Sequence, residues 1–227
     1  MVVEYRDLGR MAYAASWEYQ RELFEGLLSA KREGRPFEGA GYMLLVEHPA
    51  VYTLGKSGHQ ENMLISEDYL KQLGAEFFHI DRGGDITFHG EGQIVGYPIL
   101  DLEKIGIGLR EYIEAIEQAV IDTVAHYGIR GGRIEGASGV WLKEENRPPR
   151  KICAIGVRSS RYVTMHGFAL NVNTDLRWFQ YINPCGFADR GVTSIEREVG
   201  HAVPLDEVKE LLLENFKKIL KIEIYKK

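Results

Sequence analysis

The sequence predicts an α+β domain in which a mixed, largely antiparallel sheet is covered by packed helices. Three observations predict it. Short apolar runs bounded by Gly, Pro and Asn follow one another, mostly with no helix between them. Three longer segments carry apolar residues at helical spacing. No Pro/Ser/Gly-rich linker divides the 227 residues, so the chain reads as one domain, 1–227.

The first helical segment is 11–32, where Tyr13, Trp17, Phe24, Leu27 and Leu28 share a face. Strand-like runs follow at 42–47, 51–54, 76–80, 85–89 and 94–100. A second helix over 108–127 has the cleanest stripe, from Leu109 through Tyr112, Ile116 and Val120 to Val124. Further runs lie at 138–142, 151–158 and 162–172. Between the first two of these, 143–150 (KEENRPPR) is polar and holds two prolines, so it reads as a hairpin loop. The last helix, 205–220, places Leu205, Val208, Leu212, Phe216 and Leu220 on one side. Each stripe reads as a core face.

Composition narrows the function classes. Hydrophobic residues are 44% and charged residues 27%, as in ordinary globular chains. A net charge of −5 argues against general nucleic-acid binding. No apolar run approaches the roughly 20 residues of a membrane helix. The start, MVVEYRDLGR, lacks the basic-then-apolar pattern of a secretory signal. Two cysteines, Cys153 and Cys185, without a CxxC, point to reduced thiols and a cytoplasmic setting. The seven histidines show no ligand-like spacing, so no metal is expected.

The stretch 82–93, RGGDITFHGEGQ, holds four glycines and two basic side chains. It matches neither GxxxxGK[ST] nor a GxGxxG that opens a helix. Two readings remain for it. One is a glycine-rich hairpin. The other is a pocket wall, in which Asp85, Thr87 and His89 share the polar face of a strand and Ile86 and Phe88 the apolar one. The cysteines also differ. Cys153 lies in an apolar run, with Lys151, Ile155 and Val157 on its face by strand parity, and reads as core. Cys185 follows Pro184 and precedes Gly186, on a turn where a thiol is accessible. A nucleophilic thiol needs a neighbouring base or cation to favour its thiolate. Lys151, His89 and His166 are the candidates.

With these residues in view, the sequence resembles the lipoyl(octanoyl) transferase family over most of its length. Five segments fall in family order: 47–55 (EHPAVYTLG), 82–93, 151–158, 166–172 (HGFALNV), and Pro184-Cys185-Gly186 followed by Val192-Thr193-Ser194. The resemblance implies the fold of biotin and lipoate protein ligase catalytic domains. It implies Cys185 as acyl-thioester nucleophile and Lys151 as the group that lowers its pKa. The implied acyl pocket maps to Arg82, Gly83, Gly84, Asp85, Ile86, Thr87, Phe88 and His89, to Ala154, Ile155 and Gly156, and to Gly167, Phe168 and Ala169. Small residues such as Gly156, Gly167 and Ala169 are expected to leave room for the tail. Arg82 and His89 are expected at a polar mouth. Glu91 stands where relatives usually have proline. Cys153 stands where alanine is common, which keeps it as runner-up nucleophile.

The implied reaction moves an octanoyl or lipoyl group from acyl carrier protein to a lysine of a lipoyl domain. The implied acceptors are 2-oxoacid dehydrogenase complexes and the glycine-cleavage H protein. No cofactor, nucleic acid or membrane is implied. Five cations between Arg147 and Arg161, with no acid, suggest a basic surface for an acidic carrier. The rival readings are an ATP-dependent lipoate or biotin ligase, a non-catalytic module that binds acyl groups or lipoyl domains, and a cysteine hydrolase using a histidine.

Overall fold

The computed structural model describes residues 1–35, 37–183 and 191–226. Among these residues the main sheet has nine strands. The first, β1 (Val2–Arg10), pairs in parallel with β2 (Gly41–Glu47) on one side and with β12 (Glu223–Lys226) on the other. From β2 the order runs through β6 (Gln93–Leu100), β10 (Val163–Asn171), β9 (Arg147–Ser160) and β8 (Ala137–Glu144) to β7 (Gly131–Ile134). Every neighbour in that run is antiparallel. A two-residue strand, β11 (Gly191–Val192), adds to β9 in parallel. A second sheet of three strands has β3 (Val51–Leu54) between β4 (Glu76–His79) and β5 (Ile86–His89).

The central strands are buried on both faces, which is why they read as nearly continuous apolar runs. Along β6, Ile94 and Leu100 face one core, while Val95, Tyr97 and Ile99 face another. β2 divides in the same way, Met43 and Leu45 against Leu44 and Val46. This is the period-two alternation of a strand. The first core is closed by α4 (Leu109–Ala125) and α6 (Leu205–Leu220), the second by α1 (Tyr13–Glu33). The small sheet has its own core, with Tyr52, Phe88 and Leu70 of the short helix α2 (Glu67–Gln72). Among the described residues, two more short α-helices, α3 (Leu102–Ile105) and α5 (Ile195–Val199), complete the α-helices.

The expected mixed sheet and all three long helices are present. The loop expected at 143–150 is not. β8 runs to Glu144 and β9 begins at Arg147, which leaves a two-residue turn. Pro148 and Pro149 therefore lie inside β9. The register between β8 and β9 shifts between the Leu142–Arg150 and Glu144–Arg147 pairs, where the ladder lacks the proline N–H groups. Four strands escaped the sequence reading. β1 buries Val3 and Tyr5 but carries Glu4, Arg6, Asp7 and Arg10 around them. β7, β11 and β12 are short and sit at sheet edges.

Candidate active site

A cavity of about 950 Å³ lies between β9 and β10 of the main sheet and the segment that leads into β5. The implied pocket residues other than Phe88 meet there. Arg82, Gly83, Gly84, Asp85, Ile86, Thr87 and His89 form one wall. Lys151, Ala154, Ile155, Gly156, Gly167, Phe168 and Ala169 form another. Phe88 is not among the lining residues. Its ring stacks on Trp178, with centroids 5.3 Å apart, in the core of the small sheet.

The two basic side chains of RGGDITFHGEGQ are not at a mouth. Arg82 and His89 are 8% and 6% exposed. Arg82 donates to Thr53 O at 2.7 Å and to Thr53 Oγ1 at 3.0 Å. Glycines make room for it. A Cβ on Gly55 would lie 2.9 Å from Arg82 Nη1, and one on Gly156 would lie 3.0 Å from Arg82 Cδ. Gly167 likewise serves the backbone, since a Cβ there would lie 2.1 Å from Gly96 O. These glycines permit close packing of arginine and strand, a different use from the expected clearance for a tail. The loop tip is also settled: Gly92 has φ +77° and donates to Glu47 Oε2 at 2.7 Å, while Glu91 ion-pairs with Arg10 at the surface.

His89 belongs to a polar chain whose orientation is fixed by carbonyls. Thr193 O accepts from Asn171 Nδ2, which leaves Asn171 Oδ1 to accept from Gln93 Nε2. Gln93 Nε2 also donates to Phe88 O. Gln93 Oε1 therefore accepts from His89 Nδ1, at 2.8 Å, and His89 Nε2 is a lone pair. Burial holds His89 neutral, down to about 3, and His48 down to about 4. Gln93 and Asn171 were in the quoted motifs but carried no assigned role. Their signal was a polar amide at the start or end of an otherwise apolar strand.

Cys185 lies outside the described residues. The chain on either side of residues 184–190 is anchored at the cavity. Asn183 N donates to Asn62 O at 2.8 Å, and Asn62 lines the cavity. On the other side, Val192 pairs with Lys151, and Thr193 N donates to Lys151 O at 2.9 Å. Lys151 Nζ sits 4.6 Å from the centroid of the Trp141 ring, a cation–π contact that holds the ammonium at the cavity wall. The runner-up thiol differs in every respect. Cys153 is fully buried in the main core, and burial pushes its pKa far up. His166 does line the cavity, but its Nε2 bonds Asp81 Oδ1 at 2.8 Å.

The basic run from Arg147 to Arg161 does not form one surface. Arg150 is held by Glu144 and Glu198, Arg158 by Asp81, and Arg147 by Glu144. The run spans the whole of β9, so its ends are roughly 45 Å apart at about 3.3 Å per residue.

Residues 12–217 match the family model "Lipoyl protein ligase A/B catalytic domain". An octanoyltransferase from Bacteroides fragilis is 57% identical over 200 residues, covering 88% of this chain and 90% of the relative. Two solved structures bear on the fold alone. A putative lipoate protein ligase from T. acidophilum superposes with a TM-score of 0.72 at 16% identity, over 100% of this chain and 88% of the other. The biotin protein ligase from Aquifex aeolicus gives a TM-score of 0.53 at 14% identity, over 97% of this chain and 70% of the other.

Proposed function

The chain belongs to the lipoyl protein ligase A/B catalytic-domain family and transfers octanoyl groups in protein lipoylation; from that premise we propose that it works through an acyl-thioester on Cys185. The whole chain, 1–227, acts as one catalytic domain. The donor is octanoyl-acyl carrier protein. The acceptors are lysines of lipoyl domains, those of 2-oxoacid dehydrogenase complexes and of the glycine-cleavage H protein, in the cytoplasm.

The observation that carries this reading is the anchoring of both flanks of residues 184–190 at one cavity that also holds Lys151. The Lys151 ammonium favours the Cys185 thiolate. The thiolate attacks the octanoyl carbonyl. The bond from that carbon to the carrier sulfur breaks, and the carrier leaves as a thiol after taking up a proton. The acceptor amine then attacks acyl-Cys185, an amide forms, the amine gives up a proton, and the thiolate is restored. The first exchange is between two thioesters and the second forms a more stable amide, so neither step needs ATP. Each passes through an oxyanion, for which backbone N–H groups of the glycine-rich wall are suitable donors.

Incubation with octanoyl-carrier protein in the absence of ATP tests the proposal. Intact mass should show one octanoyl adduct, lost in Cys185→Ser and retained in Cys153→Ala. Transfer at full rate by Cys185→Ser would overturn it. A strict need for ATP would favour a ligase.

A further inference from the structure

Lys151 stands on a stretch of β9 that the sheet ladders hold only briefly. Trp141 and Leu142 of β8 pair with Lys151 and Arg150, and a register shift bounds this pairing on each side. One shift falls between the Val140–Cys153 and Trp141–Lys151 pairs, so β9 has one extra residue, Ile152, and bulges next to the lysine. On the other edge, β11 pairs with the same two residues, Gly191 with Arg150 and Val192 with Lys151. β11 is itself two residues long, with Gly191 exposed and Val192 half-buried. Ordering so short a strand has an entropic cost that its own burial does little to offset. Contacts beyond the ladders must fix it.

Those contacts converge on Glu198. Successive side chains of a strand point to opposite faces. Lys151 lines the cavity, and Arg150, on the other face, meets an acid from each neighbouring element. Arg150 Nη2 donates to Glu144 Oε1 of β8 at 2.8 Å and to Glu198 Oε2 of α5 at 3.2 Å. Arg150 Nε donates to Glu198 Oε1 at 3.2 Å, and the Thr193 hydroxyl donates to the same oxygen. Thr193 is fully buried, directly follows Val192, and donates its N–H to Lys151 O at 2.9 Å. α5 is anchored in turn: Ile195 lies in the main core, Glu196 N donates to Val172 O at 2.9 Å, and Arg197 N donates to the Ser194 hydroxyl. One carboxylate thus joins α5, β11 and β9 at the residue beside Lys151. Both partners of the Arg150–Glu198 pair are mostly buried, so salt screens it little. Glu198 itself does not line the cavity.

We infer that Glu198 is a positioning residue for the acyl transfer: by gripping Arg150 and Thr193 it fixes β11 against Lys151, and so fixes where the chain that follows residues 184–190 meets the lysine. The inference rests on the reading that Lys151 favours the Cys185 thiolate. It gives Glu198 an effect opposite in sign to that of its charge. Removing a nearby anion, by charge alone, favours a thiolate and lowers the pKa of the thiol. Loosening β11 from Lys151 withdraws the ammonium from the thiolate and raises it.

Iodoacetamide alkylation of Cys185, followed against pH and located by peptide mass, reads the sign. The apparent pKa of the thiol should rise by about 0.5 unit or more in Glu198→Ala, which slows alkylation near pH 7 about threefold. Thr193→Val removes the hydroxyl at nearly constant volume and charge and should shift the pKa the same way. Thr193→Ser keeps the hydroxyl and should retain the parental value. Added to Lys151→Met, Glu198→Ala should cause no further rise, because it acts through the lysine. A fall or no change in Glu198→Ala, while Lys151→Met raises the pKa, would overturn the inference, and so would equal shifts with and without Lys151. No change in Lys151→Met would instead overturn the action of Lys151 on the thiol, and this inference with it. If Glu198→Ala does not fold, the two Thr193 variants decide, and the same pKa in both overturns the positioning role.

Discussion

Gln93 Nε2 donates to Asn171 Oδ1 at 2.8 Å, and this bond links the cavity histidine to the strand beside the cavity lysine. On one side Gln93 Oε1 receives His89 Nδ1. On the other, Asn171 Nδ2 reaches Thr193 O, one residue from the Val192–Lys151 pair. Gln93→Leu leaves His89 Nδ1, Phe88 O and Asn171 Oδ1 without these partners. At about 1–3 kcal/mol for each orphaned buried group, with incomplete additivity, the expected loss of stability is about 3–5 kcal/mol. Urea unfolding measures it. A loss under about 1 kcal/mol would mean that the chain of amides is not a coupled unit.

Gly167→Ala tests the backbone reading of the pocket glycines. The added Cβ meets Gly96 O at 2.1 Å and Pro98 Cδ at 2.7 Å, and both belong to β6, paired with β10. Neither neighbour is a flexible side-chain end. Destabilisation of about 3 kcal/mol or more is expected, as for other severe overpacking. Gly136→Ala is the control, for it meets nothing within 4 Å, although its φ of +73° adds a backbone cost of about 1 kcal/mol. If Gly167 only cleared space for a tail, Gly167→Ala would instead fold normally and change donor preference.

Thiol alkylation separates the two cysteines and tests Lys151. In the native protein iodoacetamide should modify one thiol, Cys185, and spare the buried Cys153; both react once urea unfolds the chain. Lys151→Met removes the cation proposed to favour the thiolate. The apparent pKa of the reactive thiol should rise by at least one unit, and its alkylation near pH 7 should slow by about tenfold. Circular dichroism checks that the fold persists. An unchanged pH–rate profile would show that Lys151 does not act on the thiol.

The sequence showed the layers of this fold more readily than the irregular parts of its site. The stripes of α1, α4 and α6 and the runs of β2, β6 and β10 were legible because each buries a face at a fixed period. β1 was hidden by its charges, and Pro148 and Pro149 pointed to a loop because a register shift cannot be read from composition. The family motifs contained Lys151 and many of the residues that line the cavity. They did not show that Phe88 turns into another core, or that Arg82 and His89 are buried in the cavity wall. Glu198 and Asp81 are distant in sequence from Arg150 and Arg158, the cations they pair with, so the basic run looked freer than it is. Ser16 and Gln20 left a trace, as buried polar residues of α1, but the His166 backbone N–H that Gln20 meets is 146 residues away.

Buried neutral histidines make stability depend on pH in a predictable direction. His48 titrates at about 4 and His89 at about 3 in the folded chain, against about 6.5 when unfolded. Between those values the unfolded chain binds protons that the folded chain does not, so acidification destabilises the fold. Each histidine contributes about 1.4 kcal/mol per pH unit, starting near pH 6.5 and ending near 4 for His48 and near 3 for His89. The hydrogen bond from His166 holds Asp81 below its usual value; its contribution is present above about pH 3.9 and is lost only as the pH falls through the folded value. Stability should thus be nearly flat from pH 7 to 8 and fall by about 3 kcal/mol per unit between pH 6 and 4.5. His48→Gln separates the terms, because its amide can donate to Met11 O and accept from the Tyr97 hydroxyl without titrating. Its slope in that window should be shallower by about 1.4 kcal/mol per unit. Urea midpoints at pH 5, 6 and 7.5 for both proteins decide the matter, and parallel slopes would place the acid sensitivity elsewhere.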